Sequence, residues 1–203
     1  DRPVLSRLAE AVQRATRPGL PAIAPVDRGE ALPLSFAQQR LWFLAQMGES
    51  SQAYHIPIGW RLRGQLDRAA LRGALDRIVA RHEALRTTVA LVNSEPAQRI
   101  LPPDTGFALA EHDLRGHDAP PAALEQLFAE EATAPFDLAA GPLIRGKLIW
   151  LDDAEQVLLI TMHHIVADGW SMGVFKREFS TLYRAFCHGQ PDPLPPLGIQ
   201  YAD

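Results

Sequence analysis

The sequence predicts an α/β fold, a mixed sheet covered by helices, and three stretches carry that prediction. The run Gln156-Val157-Leu158-Leu159-Ile160-Thr161-Met162 is branched, apolar and too short for a helix, which suits a buried strand. Ile56, Ile58, Trp60 and Leu62 alternate with Pro57, Gly59 and Arg61, the period of a half-buried strand, and Pro57 assigns it to an edge or a bulge. Ala70, Leu71, Ala74, Leu75, Ile78 and Val79 form one apolar stripe at helical spacing.

Along the chain, Pro3 to Ala15 has apolar residues at 4, 5, 8, 11, 12 and 15, an amphipathic helix with Pro at its start. Residues 16–33 contain Pro18, Gly19, Pro21, Pro25, Gly29 and Pro33 and read as an extended linker, so the globular domain is expected over 34–203. Ser35 N-caps a helix to about Met47 that carries Phe36, Arg40, Leu41, Phe43 and Leu44, with Arg40 in a supporting role. Asp67 caps the striped helix to about Ala80. Leu85 to Val92 is strand-like, and Asn93-Ser94-Glu95-Pro96 turns it into a hairpin ending near Leu101. Phe107 to Leu114 reads as a strand, Pro121 to about Thr133 as a helix, and Leu143 to Leu151 as a strand that turns at 152–155 into the run ending at Met162. A helix from about Met172 to Cys187, N-capped by Ser171, and the Pro-rich stretch 191–198 complete the chain.

Composition excludes several classes. With 203 residues, 47% hydrophobic and 22% charged, the chain can bury a core and falls within the size of one domain. Twenty basic against twenty-four acidic residues give a net charge of -4 with no basic block to track phosphates, which argues against nucleic acid. The apolar runs fall short of the ~18 residues of a membrane span, and Asp1-Arg2-Pro3 is unlike a signal peptide, so a cytoplasmic protein without a membrane partner is expected. Cys187 is the single cysteine, so no intrachain disulfide or thiolate metal cluster is expected, and a packing role is read for it.

The chemistry concentrates in Met162-His163-His164-Ile165-Val166-Ala167-Asp168-Gly169-Trp170-Ser171, two adjacent histidines and an Asp-Gly pair at the end of a strand. Side chains alternate along a strand, so His163 and His164 are expected to point oppositely, one into a cleft and one into the core. An imidazole with its ordinary pKa of about 6.5 is mostly neutral at pH 7 and can relieve an attacking amine or hydroxyl of its proton. That arrangement points to acyl transfer. A metal is disfavoured, because His164 and Asp168 are four apart across a loop and adjacent strand histidines do not chelate one ion. A triad on Ser171 is disfavoured because helix capping already explains that residue.

His163-His164-Ile-Val-Ala-Asp168-Gly169 resembles the HHxxxDG motif of condensation domains of nonribosomal peptide synthetases. Leu34 to Leu44 is similar to that family's first motif, Arg81-His82-Glu83-Ala84-Leu85-Arg86-Thr87 to its second, and Ile199 to Asp203 to the start of its next. The resemblance implies a chloramphenicol-acetyltransferase-like fold, of which 34–203 is the N-terminal subdomain of a two-lobed domain, truncated before the second lobe. It implies amide bond formation between a donor acyl or peptidyl thioester and an acceptor aminoacyl thioester, with the motif wording closest to domains joining an L-configured donor to an L-configured acceptor. His164 is then the catalytic residue, as general base or as positioning group, and His163 supports the loop from the other face. Asp168 is structural, held by arginine, with Arg81 and Arg86 the candidates and Arg145 a further one. Gly169 shapes the loop, its backbone near a developing oxyanion. No cofactor binds directly; substrates ride on the 4'-phosphopantetheine of upstream and downstream peptidyl carrier domains, and an adenylation domain and the second lobe share the polypeptide. Residues 1–15 resemble the last helix of a preceding carrier domain, or else dock on their own domain. The fragment alone is expected to be inactive. Two other classes compete: CoA-dependent acyltransferases share the shorter HxxxDG pattern, and condensation-like recruitment modules bind partners without chemistry, although these tend to lose the histidines that are intact here.

Overall fold

A computed structural model gives the structure of residues 22–47 and 51–203; the predicted helix over 1–15 lies outside the described residues. In chain order the elements are β1 (Leu32–Pro33), α1 (Phe36–Gln46), β2 (His55–Arg63), α2 (Arg68–Arg81), β3 (Thr87–Val92), β4 (Glu95–Ile100), β5 (Ala108–Asp113), α3 (Pro120–Thr133), β6 (Ile144–Asp152), β7 (Glu155–His163) and α4 (Gly169–Cys187).

The main sheet has the order β2-β7-β6-β5. β7 runs antiparallel to both neighbours and β5 runs parallel to β6, so the sheet is mixed, as expected. A parallel pair needs a crossover, and α3 supplies it. Every residue of β7 from Gln156 to His163 is buried, which accounts for a continuous apolar run where a one-sided strand would alternate. Pro57 sits in β2, at the sheet edge, where a missing N–H costs no ladder bond.

Two helical layers cover the two faces. Leu158, Ile160 and Met162 pack with Leu71, Leu75 and Ile78 of α2 and with Phe175, Phe179 and Leu182 of α4. Val157 and Leu159 face Leu124, Leu127 and Phe128 of α3. The middle of β6 admits only glycine: a Cβ on Gly146 would lie 2.5 Å from the Leu159 carbonyl oxygen and 3.1 Å from the Phe107 ring. A smaller sheet, β1-β4-β3, carries the predicted hairpin, whose turn holds Asn93 and Ser94 at positive φ, as tight hairpin turns demand.

Several element boundaries differ from expectation. Residues 83–86 form a 3-10 turn before β3 begins, with the Thr87 hydroxyl bonded back to the Glu83 carbonyl at 2.7 Å. Phe36 and Phe43 of α1 are exposed, at 90% and 60%, so the helix is held through Leu41, Trp42 and Ala45 instead. Cys187, read as a packing residue, is exposed at the end of α4. Among the described residues no helix is long and apolar enough to cross a membrane.

Candidate active site

β7 ends at His163, one residue earlier than a strand carrying both histidines, and the chain turns through 164–166 into α4. The Val166 N–H donates to the His163 carbonyl at 3.0 Å, closing that turn. The residues just before β6 and β2 hold it: the His163 N–H donates to the Leu143 carbonyl at 3.0 Å and the His164 N–H to the Tyr54 carbonyl at 2.8 Å.

The two imidazoles part company. His163 is 1% exposed and faces the α3 side, its ring 5.9 Å from Phe136 and 6.1 Å from His55. Its Nδ1 accepts the Ile165 N–H at 3.1 Å, which leaves the ring proton on Nε2. Burial, reinforced by the positive potential of His55 and His164, pushes its pKa down to about 4, so it is neutral at pH 7. His164 is exposed, and no hydrogen bond among the described residues engages its imidazole.

Asp168 corrects two expectations. It is the N-cap of α4, and Ser171, expected to be the cap, sits at the third helical position and completes a reciprocal capping box. The carboxylate accepts from the Ser171 N–H at 2.9 Å and from the Ser171 hydroxyl at 2.7 Å; those bonds lower its pKa. No arginine pairs with it among the described residues. An exposed carboxylate at a helix N-terminus is satisfied by backbone donors and water and needs no buried counter-charge.

The arginines serve elsewhere. Arg81 pairs with Glu178 of α4 at 3.2 Å and donates to the Pro195 carbonyl at 2.6 Å. Arg86 bonds the Leu101 carbonyl and lies 3.8 Å from Glu83, its pKa lowered by burial. Arg145 joins Glu131 at 2.8 Å and the Pro135 carbonyl at 2.9 Å, closing the C-terminal end of α3. The structure thus brings His163, His164, Asp168 and Gly169 to one corner and leaves Arg81 and Arg86 outside it.

The first upstream motif nonetheless reaches that corner through Gln38, and the second reaches α4 further along through His82. Gln38, 4% exposed, donates to the Ile165 carbonyl at 3.4 Å while its own amide oxygen accepts from the Ser35 N–H at 3.1 Å. The Ser35-x-x-Gln38 spacing is a capping box and could have flagged it. Arg40 is exposed and takes no such role. From the second motif, His82 Nε2 meets Glu178 at 2.6 Å.

Beside the histidine turn lies an apolar cavity of about 400 Å3, walled by Leu85, Val166, Trp170, Met172, Ile199 and Tyr201. Its other wall is the chain's last stretch, fixed by Gln200, which accepts from the Glu83 N–H at 3.1 Å and donates to the Arg81 carbonyl at 3.0 Å. His164 does not line the cavity; Val166 and Ala167 connect the two. Among the described residues no group of three or more His, Cys, Asp or Glu is placed to hold a metal.

A family model described as "Condensation domain" matches residues 29–203. The chain is 54% identical over 181 residues to malpibaldin synthetase of Mortierella alpina, covering 89% of this chain and 3% of that protein. It is 40% identical over 203 residues to the dimodular nonribosomal peptide synthase of Bacillus subtilis, covering 100% of this chain and 8% of that one. Among solved structures, the X-domain from teicoplanin biosynthesis superposes with a TM-score of 0.78 at 37% identity, covering 90% of this chain and 38% of that one. The first condensation domain of the calcium-dependent antibiotic synthetase, in complex with a substrate analogue, gives a TM-score of 0.73 at 27% identity over 81% of this chain and 40% of that one.

Proposed function

Because this chain belongs to the condensation-domain family of nonribosomal peptide synthetases, we propose that it is the first lobe of a domain that joins a donor acyl or peptidyl thioester to the amine of an acceptor aminoacyl thioester. Both substrates arrive on the 4'-phosphopantetheine arms of carrier domains, and the second lobe and an adenylation domain belong to the same polypeptide. The observation that carries this reading is the His164 imidazole: exposed and without a hydrogen bond among the described residues, on a turn pinned at its backbone from both sides.

In the proposed reaction the amine nitrogen bonds to the thioester carbonyl carbon, the carbon–sulfur bond breaks, and the amine proton ends on the departing thiolate. His164 meets that amine, accepting its proton or holding it by a hydrogen bond. His163, neutral and buried, keeps the turn rigid through the Ile165 N–H. The carboxylate of Asp168 occupies the start of α4, drawing on the Ser171 and Trp170 N–H groups, and the Gly169 N–H remains for a developing oxyanion. The apolar cavity next to the turn suits an aliphatic or aromatic substrate side chain.

One observation favours a second reading. The X-domain that this chain resembles is also known in a complex with OxyB, an assembly with a partner protein, so recruitment without chemistry is the competing role. Single-turnover condensation by the full-length synthetase, with loaded donor and acceptor carriers, separates the two. The expected result is product from the wild type and its loss in His164→Ala, with folding and carrier binding intact. Unchanged product in the variant removes His164 from the mechanism. No product from the wild type moves recruitment to the front.

A further inference from the structure

We propose that His55 is a positioning residue for His164: its imidazole ties the start of β2 to the end of α3 and so holds the Tyr54 carbonyl that fixes the His164 backbone. The inference rests on the reading of His164 given above and deepens it. Register pairs His55 with His163, so the bond from the His164 N–H to Tyr54 O, at 2.8 Å, lies one step past the β2–β7 ladder. β2 is an edge strand, and among the described residues its ladder partner is β7 alone. Where Tyr54 stands is therefore decided by whatever anchors the residue after it.

That anchor is the His55 side chain. It is 9% exposed, and its Nδ1 lies 2.8 Å from the Ala132 carbonyl. A carbonyl only accepts, so Nδ1 carries the proton and donates. Ala132 is in the last turn of α3, where carbonyls have no partner within the helix. The neighbouring ones are taken in the same way: Thr133 O by Gln52 Nε2 at 3.4 Å, and Glu131 O by Arg145 at 3.3 Å. The His55 ring also stands edge-on to Phe136 at 4.9 Å, which fixes its plane. A hydrogen bond, an aromatic wall and the ladder thus set one position for the strand start. A shift of about 1 Å at a reacting group is enough to cost about a hundredfold in rate.

The test uses two variants of the full-length synthetase that divide the ring's functions. His55→Phe keeps an aromatic ring, somewhat larger, and loses the donor; His55→Asn loses volume and can place an amide N–H where Nδ1 stood. Single-turnover rates at saturating carriers are expected to fall about tenfold or more in His55→Phe, with the half-saturating carrier concentration unchanged, and to be largely retained in His55→Asn. Amide exchange across 160–170 is expected to quicken in His55→Phe alone. A wild-type rate in His55→Phe, or a fall in His55→Asn as large as in His55→Phe, overturns the inference. His164→Ala, run alongside, shows whether the underlying reading has failed instead: a wild-type rate there sinks both.

Discussion

His163 lies beneath the sheet with a neutral ring, its pKa drawn to about 4 by burial and by His55 and His164, against an ordinary 6.5. Between those values the unfolded chain takes up a proton that the folded chain refuses. The stability this neutral ring allows is therefore complete above pH 6.5 and is lost as pH falls toward 4, by on the order of 3 kcal/mol. Urea denaturation of wild type and His163→Asn at pH 7 and pH 4.5 checks it; equal acid sensitivity in the two would sink the assignment. Asp168 makes a contrasting case. As an exposed cap it is expected to cost about 1 kcal/mol on Asp168→Ala, not the roughly 3 to 5 kcal/mol of a broken buried pair. Denaturation midpoints distinguish these, and a loss of the larger size would restore an arginine partner for it.

At the scale of elements, β7 carries the fold: buried on both faces and hydrogen-bonded on both edges, it receives α2 and α4 on one side and α3 on the other. Leu182→Ala, at a fully buried position of α4, is expected to destabilise by about 2 to 5 kcal/mol through lost transfer energy and the cavity left behind. Gly146→Ala acts in the opposite way, forcing a methyl against the Leu159 carbonyl, and is expected to cost about 1 to 3 kcal/mol. Thermal or urea unfolding of each checks these, and a neutral Gly146→Ala would mean that β6 and β7 separate without penalty. Elements of this kind are legible in sequence because their cause is local: Asp67 and Ser35 cap, Ala70 to Val79 repeat at helical spacing, and Asn93-Ser94 turns. The cap of α4 is not legible in the same way, because both Asp168 and Ser171 are good caps and only the backbone decides which residue leaves the helix. Nor are the arginine partners, because ion pairing is a long-range property. Arg81 meets Glu178 and Arg145 meets Glu131 only after α2, α3 and α4 have settled on the sheet.

At the scale of the molecule, the chain spans about two-fifths of the solved domains it superposes on, and the His164 side of the corner is open. Trp170 beside it is 83% exposed and Tyr201 58%. If the proposed function holds, the isolated chain is expected to yield no peptide product from loaded carriers, because an open corner neither excludes water nor aligns two reactants; detectable dipeptide from these 203 residues alone would contradict this. The backbone tether of His164 has a consequence for how such a site comes into being. Its partner Tyr54 and the paired strand β2 lie more than half the chain away in sequence, with the β3–β4 hairpin, α2, α3 and two further strands of the main sheet between them. Bringing those ends together charges the full entropy of a long loop, and contacts of that range form late and slowly. A chain caught midway through folding would hold every residue of the histidine motif, in the right order and on a formed helix, and still have no site.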